Sequence, residues 1–397
     1  MPPLTQNDEA LLCGREVELR ETITNIRADR LVVLASEPGV GLTSLLHAGI
    51  APALKREGFI VAYFSDWQGK AFNTNLKEAI ADAVREQAAP DFFSEGERLD
   101  TLSRRVRSRT GRHLVLLLDQ FEDYVRCHTG TDISDSFDAE LAQTIAGRDL
   151  RCVVGIQDHA VPAFERFGQH IPNLLGYRVR LGDISSTAGR AAVIAEAGAL
   201  GMDVEPAVLD LLLASPVVAK NVGRAHPFFL KVATAQLYAA GKLLRAPTLK
   251  ASLITDGGGV DRLILESLDS IINEFGTTHV ELLFRWCNIL ISPEIRRLAV
   301  TEKGLTDYSG KLNRFALTLL PVATVAGILR SVATHEAIRY EIARECLTPI
   351  LRNWWERREA AAVSRRRAVF RTTSLSLALG AIVLAYIIWI LLSKDGP

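Results

Sequence analysis

The chain lacks a net charge: 46 Lys and Arg residues balance 46 Asp and Glu residues. That balance argues against a globally basic nucleic-acid binder, and no nucleic-acid partner is expected. Its five cysteines, Cys13, Cys127, Cys152, Cys287 and Cys346, are scattered and form no CxxC pair or Cys/His cluster. They suit reduced, mostly buried thiols and speak against a disulfide scaffold or a zinc site. The eight histidines show no metal-ligand spacing. Residues 1–30 hold no apolar stretch behind a basic start, so no secretory signal is expected. There is no internal repeat, which excludes a repeat array.

The absence with the largest consequence is one lysine. Ser36-Glu37-Pro38-Gly39-Val40-Gly41-Leu42-Thr43 has the form of a phosphate-cradling loop in which leucine stands at the lysine position. Leu31 to Ala35 reads as a short buried strand ahead of the loop, and Ser44-Leu45-Leu46-His47-Ala48 opens an amphipathic helix behind it. In that context the backbone N–H groups and the helix N-terminus face phosphate oxygens, and the glycines let the main chain come close. Ser36, Gly39, Val40, Gly41, Leu42, Thr43 and Ser44 are the candidate cradle. A charge-assisted hydrogen bond from lysine to phosphate contributes roughly 1.5–3 kcal/mol. Its loss weakens binding by about 10- to 100-fold and impairs hydrolysis further, because charge develops on the transferring group.

What is present divides the chain. A length of 397 residues with 48% apolar content supports two or three domains. Charge is uneven: seven arginines lie between Arg352 and Arg371 against Glu356 and Glu359, so residues 1–351 are net acidic. From Thr372 to Leu392 there is no charged residue, a length that crosses a bilayer core as a helix. Trp389 sits near its far end, and Arg365, Arg366, Arg367 and Arg371 precede it. The positive-inside rule then predicts a single-pass tail anchor with the N-terminal body in the cytoplasm.

Strands are expected at Leu31 to Ala35, Phe59 to Phe64, His113 to Asp119, Arg151 to Ile156 and Tyr177 to Leu181, with amphipathic helices between them. Such alternation implies a parallel sheet covered on both faces, with a ligand crevice at the carboxyl ends of the strands. After Leu181 the strand signal stops. Helices follow at about Ser186 to Leu200, Glu205 to Leu213, Pro227 to Gly241, Val260 to Phe275 and His279 to Leu290. A helix up to Pro321 and two β-like runs, Ile328 to Val332 and Ala337 to Ile342, suggest a winged helix.

Leu114-Val115-Leu116-Leu117-Leu118-Asp119-Gln120-Phe121-Glu122 is an apolar strand that delivers acids at its end. A magnesium ion held between phosphate oxygens needs one such carboxylate, assigned to Asp119, plus the hydroxyl of Thr43. Glu122 is the candidate to polarise the attacking water.

Three segments carry a family resemblance: Cys13-Gly14-Arg15-Glu16, Asp119-Gln120-Phe121-Glu122, and Arg339 to Leu347 with Trp354. They resemble the novel STAND NTPases of the first type, signal-transduction ATPases with numerous domains. The similarity runs from about Leu11 to Arg367 and includes His226-Pro227-Phe228 and Gly257-Gly258-Gly259-Val260. It implies an α/β P-loop core with helices on both faces of a parallel sheet, a helical lid and a winged helix that close over ATP or ADP with magnesium. On this reading residues 1–183 are the core, 184–256 the lid, 257–351 the winged helix, 352–371 a basic juxtamembrane segment and 372–392 the membrane helix.

Three positions depart from the family pattern: Leu42, Gln157 where arginine is usual, and Arg344 where a nucleotide-reading histidine normally lies. Arg344 is a candidate to supply the missing cation, and Arg15 a candidate nucleotide contact or the partner of a local acid. The leading expectation is a membrane-tethered signalling protein of prokaryotic type, in defence or stress signalling, that holds nucleotide without efficient hydrolysis. It would act as a homo-oligomer or with a separate sensor protein. The alternative is a non-enzymatic, membrane-anchored scaffold with a vestigial loop, and a third reading is a slow ATPase completed by a neighbour's cation.

Overall fold

A computed structural model describes residues 3–69, 71–94, 96–128, 132–147, 149–171, 173–219, 221–293, 297–333, 337–343, 347–360 and 363–364. Runs such as Leu31-Val32-Val33-Leu34-Ala35 and Leu114-Val115-Leu116-Leu117-Leu118 are apolar at every position, so both faces of the strand must be covered. They form β1 (Leu31–Ser36), β2 (Ile60–Phe64), β3 (Leu114–Leu118), β4 (Leu150–Gln157) and β5 (Arg178–Leu181), parallel throughout in the order β2-β3-β4-β1-β5.

Side chains alternate between two cores, as the period of two requires. Val33, Ala35, Leu116, Leu118, Cys152 and Val154 face a layer containing Trp67, Phe72, Phe121, Tyr124 and Phe167. Val32, Leu34, Val115, Leu117 and Val153 face Ile26, Leu45, Leu46 and Leu54 on the other side. Ser36 is in register with Gln157, and Leu118 with Val154. The end of β1, the residues after β3 and the end of β4 therefore emerge at one edge of the sheet.

A third core gathers the remainder, from Ile184 through Trp286 to Trp354. The helices Ser186–Ala199, Pro206–Ala214, Pro227–Leu243, Val260–Asn273 and Thr277–Leu290 lie where the sequence places them. The strand signal does not stop at Leu181, however. β6 (Ile184–Ser185), β7 (Asp203–Val204), β8 (Arg224–Ala225) and β9 (Thr248–Leu249) make two short ladders, β6 with β8 and β7 with β9. Two residues are too few to leave a period in the sequence.

β10 (Val300–Thr301), β11 (Leu329–Ala333) and β12 (Ile338–Ile342) form an antiparallel sheet in the order β10-β12-β11. The preceding helix, Ala316–Val325, runs through Pro321 rather than ending there. Proline removes one ladder bond, and Leu317, whose carbonyl loses that partner, is 59% exposed. Trp354 is buried and packs on Phe284, which fixes it in this third core.

Cys127, Cys152 and Cys287 are buried free thiols, and Cys13 is half-buried. Cys346, Arg344 and the apolar stretch 372–392 lie outside the described residues. Among the described residues no helix is long and apolar enough to cross a membrane.

Candidate functional site

The glycine loop folds as its spacing requires. Gly39 and Gly41 have φ of 83° and 97°, values that favour glycine, and Gly41 turns the chain directly into the Leu42–Ser44 helix. That helix continues through a π-helical stretch, Leu45–Ile50, into Ala51–Arg56, where Pro52 lacks the N–H an α-helical ladder would use. Leu42 packs against the core on that face of the sheet. A Cβ added to Gly155 would come 3.2 Å from Leu42 Cδ2 and 3.2 Å from Asp119 Oδ1. The missing side chain of Gly155 thus leaves room for both.

Asp119 is buried, and each carboxylate oxygen has a donor. Thr43 Oγ1 donates to Oδ2 at 2.7 Å, Tyr63 OH donates to the same oxygen at 2.8 Å, and the Gln120 N–H donates to Oδ1 at 2.8 Å. Gln120 reaches that position at φ 53°, an uncommon conformation for a non-glycine residue. Burial pushes the Asp119 carboxyl above its usual range, against the opposing pull of these hydrogen bonds. The His47 ring lies 3.9 Å from the Tyr63 ring, tilted 41° to it, and burial holds its imidazole below the ordinary value.

Glu122 is 7% exposed and accepts the Gln157 N–H at 3.2 Å. Burial, then the neighbouring Asp123 carboxylate, push its pKa up to about 8. Gln157 Oε1 is buried with no hydrogen-bond partner among the described residues.

Two adjoining cavities open here. One of about 180 Å³ is bordered by the glycine loop, Leu42, Thr43, Asp119, Glu122, Gln157 and Lys231. The other, about 120 Å³, is more apolar and is bordered by Leu4, Leu11, Leu12, Cys13, Ile184 and Leu230. Gly41, Ser44, Pro227 and Lys231 border both. The N-terminal segment lies across the junction, where the Leu4 N–H donates to Ser44 Oγ at 3.1 Å.

The sequence therefore brings together Ser36, Gly39, Gly41, Leu42, Thr43, Ser44, Asp119 and Glu122 as anticipated. Arg15 takes the second of its two readings and pairs with a local acid, Glu18. Its guanidinium donates to the carbonyls of Val40 and Gly182, each at 2.6 Å, and pairs with Glu18 at 2.8 Å, so it braces the loop from behind. Val40 turns its side chain into the core. Lys231, Tyr63 and the leucines of the N-terminal segment escaped the sequence reading, because only the tertiary fold brings them to the loop.

The site fits a nucleotide in its main features. A turned glycine loop, a helix N-terminus and an apolar side cavity suit phosphates joined to a flat ring. Thr43 and Asp119 supply hard oxygen atoms suited to magnesium. Among the described residues no cluster of three or more His, Cys, Asp or Glu side chains could hold a metal without the ligand's oxygens.

Solved structures similar to the chain include the Walker-type ATPase of Pyrococcus abyssi, 13% identical with a TM-score of 0.46, covering 89% of this chain and 98% of that one. The ORC2 protein of Aeropyrum pernix, solved as ADPNP-ADP complexes, is 15% identical with a TM-score of 0.48, covering 90% and 96%. The RuvB Holliday junction branch migration motor of Thermotoga maritima is 13% identical with a TM-score of 0.39, covering 82% and 91%. No curated protein matches. The family model of the novel STAND NTPase 1 proteins matches residues 1–373, nearly the whole chain, and the protein belongs to that family.

Proposed function

We propose that this protein is a membrane-tethered STAND switch that holds ATP or ADP with magnesium and hydrolyses it poorly. The observation that carries the reading is Leu42. An apolar side chain packed against Gly155 occupies the position from which a lysine would reach the phosphates, while the glycine turn and the Thr43–Asp119 pair around it are formed.

Residues 1–183 would serve as the nucleotide core, 184–256 as a lid over it and 257–351 as a winged helix; the three-stranded sheet behind a helix supports the last assignment. A route for transmission exists between them. Arg330 on β11 donates to both oxygens of Asp123, at 2.8 and 2.9 Å, and to Glu341 on β12 at 2.7 Å. Arg126 pairs with Asp123 and Glu341, and Arg297 with Glu341. Asp123 is the residue after Glu122, so this buried network ties the nucleotide edge to the C-terminal sheet. A nucleotide that prefers one arrangement of these parts shifts the balance between closed and open forms.

Residues 352–371 and 372–392 would place the body on the cytoplasmic face of a membrane, where opened copies associate or meet a separate sensor. Defence or stress signalling is the role this arrangement suits. The test is the melting midpoint of the detergent-purified protein with and without Mg-ATP or Mg-ADP. Nucleotide at 100 times its dissociation constant stabilises by about 2.7 kcal/mol. No shift at millimolar nucleotide returns the protein to the scaffold reading.

A further inference from the structure

We propose that Lys231, on the helical half of the molecule, is the cation that meets the nucleotide's phosphates in place of the lysine missing at position 42. The inference rests on the nucleotide reading above and names the group that makes it workable.

Three carboxyl side chains, Glu37, Asp119 and Glu122, border the phosphate-sized cavity. A polyanion entering it needs positive charge besides magnesium, and Lys231 is the one cationic side chain bordering that cavity among the described residues. Lys231 also borders the apolar cavity, so it stands where a ligand with its ring in one and its phosphates in the other must pass. It lies four residues after Pro227, the first residue of the Pro227–Leu243 helix, which places both on one helix face. Pro227 and Phe228 border the phosphate cavity too, so the first turn of that 17-residue helix faces it and adds its own positive end.

The hold on Lys231 is weak. Its Nζ lies 3.9 Å from Glu196 Oε1, beyond hydrogen-bond length. Burial raises the Glu196 carboxyl above its usual range, with Lys231 opposing. An ammonium on a flexible stem is a good point-charge partner for phosphate and is free to exchange one anion for another. Because the glycine loop belongs to the sheet and Lys231 to the helices, the phosphates would bridge two parts of the molecule.

The test is calorimetric titration of the full-length, detergent-purified protein with adenosine, AMP, ADP and ATP in magnesium. Lys231→Ala is expected to weaken ADP and ATP by roughly 10- to 100-fold while leaving adenosine unchanged. Lys231→Arg should keep most of the affinity, and Leu42→Lys should restore it in the Lys231→Ala protein. If alanine lowers the melting midpoint, Lys231→Met keeps the stem and removes only the charge. Equal ATP affinity in wild type and Lys231→Ala, or an equal loss across adenosine, AMP and ATP, overturns the assignment. A wild-type protein that binds none of the four overturns the nucleotide reading itself.

Discussion

Thr43 and Asp119, 76 residues apart in sequence, are joined by a 2.7 Å hydrogen bond from the hydroxyl to the carboxylate. The glycine loop and the end of β3 are thereby fixed to each other. Thr43→Val keeps the shape and removes the donor. Asp119 then retains Tyr63 on that oxygen, and the lost bond to a buried carboxylate costs about 1.5–3 kcal/mol. A denaturant midpoint unchanged at pH 8 would show that the bond contributes nothing.

Leu42→Lys restores the charge to a loop already turned for phosphate. ADP and ATP affinity should rise about 10- to 100-fold, read by fluorescent-nucleotide titration. Removing an apolar side chain from the edge of the core lowers stability by about 1–2 kcal/mol in the ligand-free protein. Failure to gain affinity would mean that the loop's N–H groups do not converge on a phosphate.

Glu122 makes stability depend on pH in a definite direction. Its folded pKa of about 8 lies above the ordinary 4.5, so between those values the folded state binds the extra proton. Stability from this group is full below about 4.5 and is lost as pH rises through 8. Glu122→Gln stays neutral throughout, so its melting midpoint should exceed that of wild type by more at pH 9 than at pH 5. The opposite trend would place the carboxyl in a more solvated setting.

Arg330 joins Asp123 to Glu341 across the two halves. Burial works against its charge, but the two carboxylates outweigh it and leave the guanidinium above its ordinary value. Arg330→Met leaves both acids with only Arg126 and Arg297, at a cost of about 3 kcal/mol. Hydrogen exchange should quicken in β11 and β12 while β1, β3 and β4 keep their protection. Uniform acceleration would mean that the network serves global stability alone.

Deleting residues 372–392 should move the protein from the membrane fraction to the soluble one without changing the nucleotide-induced melting shift. Retention in the membrane fraction would assign the attachment to another segment.

The parallel sheet was legible because Leu31 to Ala35 and Leu114 to Leu118 are apolar without interruption, a pattern that a strand covered on both faces requires. The departure at Leu42 was visible because the glycines around it define the loop. The two-residue ladders and β10 were not, since so short a pairing has no period. Tyr63 reads in sequence as an ordinary strand residue, and its hydrogen bond to Asp119 exists only because β2 and β3 are neighbours. Lys231 sits in an otherwise unremarked helix, and nothing local in the chain announces which cavity it borders.

Arg15 holds the Val40 carbonyl in the glycine turn and the Gly182 carbonyl just after β5 with the same terminal nitrogen. Both carbonyls belong to the sheet half, so the brace ties the glycine turn to the end of the edge strand β5. Replacing that one guanidinium should therefore loosen the turn and the sheet's edge together, although it donates to neither glycine of the loop.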